Sequence, residues 1–355
     1  RAVRRLARER GLGNVACAVV QGDDVSEVLR GRPDLPLMES GEPLESILPA
    51  MTSANAYLGA DLICRALETK AAVVITGRVG DPSLFLAPAL HHFGWSYDDS
   101  DKLAVGSLAG HLLECSTQVT GGCFADPGRK EVTGLDDLGN PIAEIDADGG
   151  LVITKLARTG GRVDRATCTE QLLYEMHDPA RYITPDCVLD VTGVTLEETG
   201  PNRVRAAGAR ALPRTPSYKV TVGYFDGYIG EGQVSYAGIN AVGRARLAAE
   251  VVKARLQRSG FHYSELRTDL IGMSSLHGSQ DHYPEPYEVR LRIAARCADR
   301  RAAEAVGFEV RAMHVNGPAG GGGGSDPSVG EILAVQSLLL PRELVRPEVF
   351  VEDAA

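Results

Sequence analysis

Apolar and polar positions follow two regimes along this chain, and the change falls near Pro179. In the first half, helical and strand patterns alternate. AVRRLARERGLG predicts a helix with Gly11 as its C-cap, and Val15 to Val20 a short buried strand ending at Gln21-Gly22-Asp23-Asp24. Pro33, Pro36, Pro43 and Pro49 break the next segment into loop. Apolar residues at helical spacing mark Ala60 to Glu68, and the run Ala71 to Thr76 reads as a strand buried on both faces. Helices over Pro82 to His92 and Leu103 to Cys115 follow, with Asp81 and Pro82 placed as N-cap and first helical residue. Asp126 to Gly149, rich in Gly, Asp and Pro, reads as an excursion. The pattern is that of an α/β fold: a parallel or mixed sheet with flanking helices.

Beyond Pro179 the alternation becomes strand-rich. Cys187 to Leu196 and Arg203 to Gly208 read as antiparallel strands around Gly200-Pro201-Asn202, and Lys219 to Tyr228 as another strand before a Gly230-Glu231-Gly232 break. A helix over Ala241 to Arg258, strands over His262 to Met273 and Glu288 to Arg296, a helix over Arg300 to Val306 and a strand over Glu309 to Val315 complete a split-βαβ order. Ile332 to Leu340 reads as an apolar helix. The division expected is an α/β domain over 1–185, incomplete at its N-terminus, and an α+β domain over 186–355 with a glycine-rich loop at 316–325. That loop is either a flexible linker or a folded turn meeting a ligand or a neighbouring subunit.

Candidate chemistry centres on Leu151 to Met176. A β-branched strand leads to Lys155, the turn Thr159-Gly160-Gly161 and a helix whose start is marked by Thr167 and Glu170, spaced as a capping box. Strand, cation, glycine turn and helix N-terminus suit an anion, and equally an ordinary βα turn. Thr120-Gly121-Gly122 repeats the motif. Arg78, between glycines at a strand end, occupies the place where parallel sheets bind ligands, and its planar fork suits a carboxylate or phosphate; an internal ion pair is the competing role. His111 and Glu114 stand one helical turn apart, as in metal-site pairs and also as in surface pairs.

Composition narrows the class. The chain has 355 residues, is 44% hydrophobic and 24% charged, and carries a net charge of −10, which speaks against nucleic acid as a partner. Seven scattered cysteines, none in CxxC spacing, suggest reduced thiols and neither a disulfide frame nor a zinc site. No apolar run approaches the roughly 18 residues of a membrane helix, so a cytoplasmic location off the membrane is expected.

Several stretches together carry a family resemblance: AYLGADLICRAL, VVITGRVGDPSL, LAPALHHFGW, LAGHLLEC, TKLARTGGRVDRATCTEQLLYEM, YFDGYIGEG, EVRLRIAARCADR and VNGPAGGGGG. The chain resembles the acyclic terpene utilization AtuA family, a domain-of-unknown-function family, over nearly its whole length. The resemblance implies a further α/β segment ahead of Arg1. It also implies the metabolism of branched carboxylates or acyl-CoA thioesters, because the family is named for operons of citronellol and geraniol breakdown.

The leading expectation is a lyase or hydratase using general acid–base chemistry. Arg78, Lys155, Thr120, Gly121, Gly122, Thr159, Gly160, Gly161 and Asn316 would bind the anionic substrate, and Asp81, Glu170 and Tyr224 would handle protons. No cofactor is expected beyond CoA as part of the substrate, and the chain is expected to form a homo-oligomer. The alternatives are a non-catalytic subunit assembling with a small partner protein, and a divalent-metal enzyme using Asp23, Asp24, His111 or Glu114.

Overall fold

The computed structural model describes residues 2–13, 15–278 and 284–352. In chain order they form α1 (Ala2–Glu9), β1 (Cys17–Gln21), α2 (Ser26–Arg30), β2 (Met51–Ala56), α3 (Ala60–Glu68), β3 (Val73–Thr76), α4 (Ser83–Phe93) and α5 (Ser100–Leu113). Next come β4 (Pro141–Ile145), β5 (Leu151–Lys155), α6 (Arg165–Leu173), β6 (Tyr182–Ile183), β7 (Val188–Asp190), β8 (Thr195–Gly200), β9 (Arg203–Ala207) and β10 (Arg210–Leu212). The remainder is β11 (Ser217–Ala237), α7 (Ala241–Arg258), β12 (Glu265–Ile271), β13 (Glu288–Cys297), α8 (Arg300–Asn316), β14 (Ser328–Pro341) and β15 (Glu348–Glu352).

The chain resolves into two compact units, Arg1–Leu44 with Ser53–Val222 and Gln336–Ala355, and Glu45–Thr52 with Gly223–Val335. The first holds three small sheets. β1 runs parallel to β3 and antiparallel to β15, so the expected αβ unit with α3 is present in a mixed sheet. β3 lies at the edge of that sheet and Ile75 is exposed, so the strand is not buried on both faces as its apolar run suggested. β5 sits in an antiparallel sheet of order β4-β5-β9-β8, not in a βα unit of the parallel sheet. β4 therefore falls inside the stretch read as an excursion: its Pro141 and Glu144 hide a strand that only pairing with β5 defines. Cys187 to Leu196 is not one strand; β7 joins the β10-β7-β6 sheet, and β8 forms the expected hairpin with β9.

The second unit keeps the predicted β–α–β–β–α–β order but realises it with different residues. Its sheet order is β12-β13-β11-β14, and α7 and α8 pack on one face. Arg300 to Asn316 is a single helix, because Ala302, Ala303, Val306, Val310 and Met313 continue one buried face through Gly307. The expected strand over Glu309 to Val315 is its second half. The final strand is instead β14, over the apolar run taken for a helix; a short apolar run has no period of its own, and pairing beside β11 decides it.

Gly230-Glu231-Gly232 does not interrupt β11. A Cβ on Gly230 would lie 2.0 Å from the Ala303 carbonyl oxygen, and one on Gly232 would lie 2.7 Å from Val310 Cβ. The glycines let α8 press directly on the strand. The glycine run is folded as well: Ser235 and Gly322 exchange two backbone hydrogen bonds of 2.8 and 3.0 Å, and Gly321 lies against the Tyr236 ring.

Candidate functional site

The carboxyl ends of the parallel strands β1 and β3 bring their following loops side by side. Asp23, buried just past β1, accepts hydrogen bonds from the Arg78 amide (2.8 Å) and from Asn55 Nδ2 (2.9 Å). Gly77 makes this approach feasible, since a Cβ there would lie 1.9 Å from Asp23 Oδ1. The Arg78 backbone is thereby fixed. Its side chain donates from Nε to the Val79 carbonyl (2.9 Å) and from Nη2 to Asp81 Oδ1 (2.5 Å).

The Arg78 guanidinium also lies 4.5 Å from the centroid of the Tyr57 ring, and Lys219 Nζ lies 5.5 Å from the same ring. Thr221 donates to the Tyr57 hydroxyl at 3.2 Å. Two cations on one aromatic platform repel each other, and an anion between or beside them relieves that repulsion. Arg78 thus has Nε and Nη2 engaged within its own loop, which leaves Nη1 for a ligand. Asp81 is its partner and not a helix cap: α4 starts at Ser83 with no side-chain cap, Pro82 standing in the cap position. Asp24 accepts from the Ser26 amide at the first residue of α2, and the Ser26 hydroxyl and amide hold its carboxyl below the usual range.

The two TGG turns also meet, but on each other. The Arg162 amide donates to the Thr120 carbonyl (2.9 Å), and a Cβ on Gly161 would lie 2.4 Å from that oxygen. Every amide of both turns already has a backbone acceptor: Thr117 for Thr120 and Gly122, Gln118 for Gly121, Leu156 for Thr159, Asp137 for Gly160 and Thr133 for Gly161. Lys155 is buried with Nζ donating to the Thr159 carbonyl (2.7 Å), and Thr120 Oγ1 donates to the Gly139 carbonyl (2.7 Å). Glycine turns and lysine thus serve the fold here, correcting the expected anion cradle.

The capping box is likewise displaced by one turn. Asp164 accepts from the Thr167 amide (2.9 Å) while Thr167 Oγ1 accepts from the Asp164 amide (3.1 Å), so α6 begins at Arg165. Glu170 has no capping duty; it pairs with Lys130 on the half-exposed face of α6. Tyr224 lies on β11 and Asn316 ends α8, both in the second unit.

His111 is fully buried. Its Nε2 lies 3.0 Å from the Leu172 carbonyl and so carries a hydrogen, while Nδ1 shares one with Glu114 Oε1 at 3.1 Å. This pair ties α5 to α6. Among the described residues no three His, Cys, Asp or Glu side chains gather at metal-ligand spacing. A His111→Ala variant leaves the Leu172 carbonyl and the Glu114 carboxyl without their partner. It is expected to lose about 2 kcal/mol of stability, read as a lower urea midpoint at unchanged slope.

Residues 1–351 match the family model described as acyclic terpene utilisation family protein AtuA. The chain belongs to that family. No curated protein and no solved structure matches it. For this AtuA chain, sequence position alone singled out Arg78 and Asp81. Tyr57, Lys219 and Asn55 were missed, because only the folded chain brings their segments to the strand ends. The usable signal was limited to AYLG following a short strand and preceding a helix.

Proposed function

We propose that this AtuA-family chain binds a small anionic substrate, a branched free carboxylate or an acyl-CoA thioester, and acts on it as a lyase or hydratase. One observation carries the reading: Arg78 and Lys219 share the Tyr57 ring at the carboxyl ends of parallel strands, the position at which such sheets bind ligands, and both cations suit a carboxylate or phosphate. In this reading Arg78 and Lys219 hold the anion. Asp81, oriented by the Arg78 fork, accepts the proton removed from the substrate, and Glu170 and Tyr224 have no part. The seven free thiols accord with work in the reducing cytoplasm, and none of the described helices is long and apolar enough to cross a membrane.

Incubating the purified protein with a panel of branched hydroxyacyl- and enoyl-CoA esters, with mass detection, tests the proposal. A product differing by one water or by an acyl fragment supports it. Unchanged substrates, together with no binding of any ester, overturn it. A homo-oligomer forms part of the proposal. It is favoured by the exposed apolar side chains Phe308 and Val315 on α8 and Leu333 and Val335 on β14, each at least 65% exposed. Light scattering at one protomer mass would refute that part alone.

A further inference from the structure

The segment carrying Tyr57 and the loop carrying Arg78 continue past a parallel bridge between Leu58 and Val79 into a second polar group. Asp186, in the turn between β6 and β7, is 2% exposed. It accepts from the Ala60 amide at the start of α3 (2.8 Å), from Ser83 Oγ at the start of α4 (2.5 Å) and from the Tyr97 hydroxyl (3.3 Å). Gly59 brings a second carboxyl beside it: a Cβ there would lie 2.6 Å from Asp186 Oδ1 and 3.0 Å from Asp61 Oδ1. That Asp61 oxygen is buried and has no hydrogen-bond partner. Two carboxyl oxygens converging in a buried spot favour retention of a proton, since both cannot ionise cheaply.

The group is not sealed. Asp186 and Tyr97 line a cleft of about 330 Å³ together with Ser100, Leu103, Pro213 and Arg214. Arg214 is exposed, and its guanidinium has no hydrogen-bond partner among the described residues. The charged and titratable groups facing Asp186 are Asp61 and Cys64 from α3, Tyr97 ahead of α5, and Arg342 after β14. Burial raises Asp186 above the usual carboxylate range and Asp61 raises it further, against the donors Ser83, Ala60 and Tyr97. Burial together with Asp186 and Asp61 pushes the Cys64 thiol to about 11 and the Tyr97 phenol upward as well.

We propose that this cleft binds a small hydroxycarboxylate, with Arg214 taking the carboxylate and the Asp186 carboxyl, beside Asp61 and Tyr97, donating a hydrogen bond to the hydroxyl. The proposal does not depend on the role given to Arg78. A purely structural tie between the helix starts would explain the three donors to Asp186. It would not explain why the carboxyl lines an open cleft beside a free guanidinium.

Calorimetry with 3-hydroxybutyrate and butyrate as probes tests it across a pH series. The donor exists only while Asp186 is protonated, so over the pH range in which the probes themselves are ionised, hydroxybutyrate binding should be strongest at the acid end and weaken as pH rises through the raised Asp186 titration. Butyrate should bind about tenfold more weakly at low pH and show little of that dependence. D186N keeps a donor without a titrating proton, so its hydroxybutyrate affinity should be independent of pH; R214A, made in the R78A background so that the strand-end site does not contribute, should lose both probes by tenfold or more. Equal affinity for the two probes, an unchanged pH profile in D186N, or full binding by R214A each overturns the proposal. R214A alters an exposed side chain, and a thermal melt matching the parent excludes misfolding as the cause of its loss. Retention of hydroxybutyrate binding by R78A separates this cleft from the strand-end site.

Discussion

A Gly230→Val variant is expected to lose roughly 3 kcal/mol or more of stability and to melt on the order of 10 °C lower. The cause is local and specific. A Cβ at this position meets the Ala303 carbonyl oxygen at 2.0 Å and its carbon at 2.6 Å, and both are backbone atoms that no rotamer change can move. α8 must therefore lift from β11. Its buried residues Val306, Val310 and Met313 then part from the cluster with Val234, Leu291 and Ile293, and Ala302 and Ala303 from Cys297. Valine is otherwise a good strand residue, so propensity predicts the opposite sign. Calorimetric melting decides between them, and an unchanged or raised melting temperature would show that α8 does not rest on β11 as described.

The second large effect is on ligand binding. Arg78→Ala is expected to weaken binding of a short branched acyl-CoA ester by about 10- to 100-fold, the range for losing a charge-assisted hydrogen bond to an anion. Arg78→Lys should restore only part of it, because an ammonium cannot reproduce the two-pronged fork or its stacking on Tyr57. Stability should hardly change, since the Arg78–Asp81 pair is half-exposed and such pairs contribute little. Isothermal titration of the three proteins with one ester reads the effect. Equal affinities would remove Arg78 from the site.

The pH behaviour of Asp186 gives an independent check. Its folded pKa lies above its unfolded one, so the folded state binds more protons and stability falls as pH rises beyond the ordinary carboxylate range. D186N removes that slope while keeping a polar group for Ala60 and Ser83. The urea midpoint of D186N measured relative to the parent should therefore rise from acidic to neutral pH.

Legibility in the sequence varied with the range of the forces involved. α3 and α7 were readable residue for residue, because each carries an uninterrupted apolar face and a turn residue before it, Gly59 and Asn240. α8 and β14 were misread in opposite directions. The helix was expected to end at Val306, yet at Gly307 α8 continues and meets Pro327 and the Glu231 carbonyl; the apolar run in β14 has no periodicity to separate strand from helix. The capping box was sought at Thr167 and Glu170, where the S/T-x-x-E pattern fits. Asp164 with Thr167 performs the same exchange one turn earlier.

By itself, the sequence determined the α/β class, the split-βαβ order of the second unit and family membership. Each rests on local periodicity or on motifs within a few dozen residues. Only the tertiary structure decided what the glycines and charged groups do. The two TGG turns hydrogen-bond into the fold, Lys155 is a buried donor to its own loop, and Tyr57, Lys219, Asp61 and Asp186 gather from distant segments. An amide or cation binds whatever acceptor the fold brings nearest, and a one-dimensional pattern does not contain that proximity.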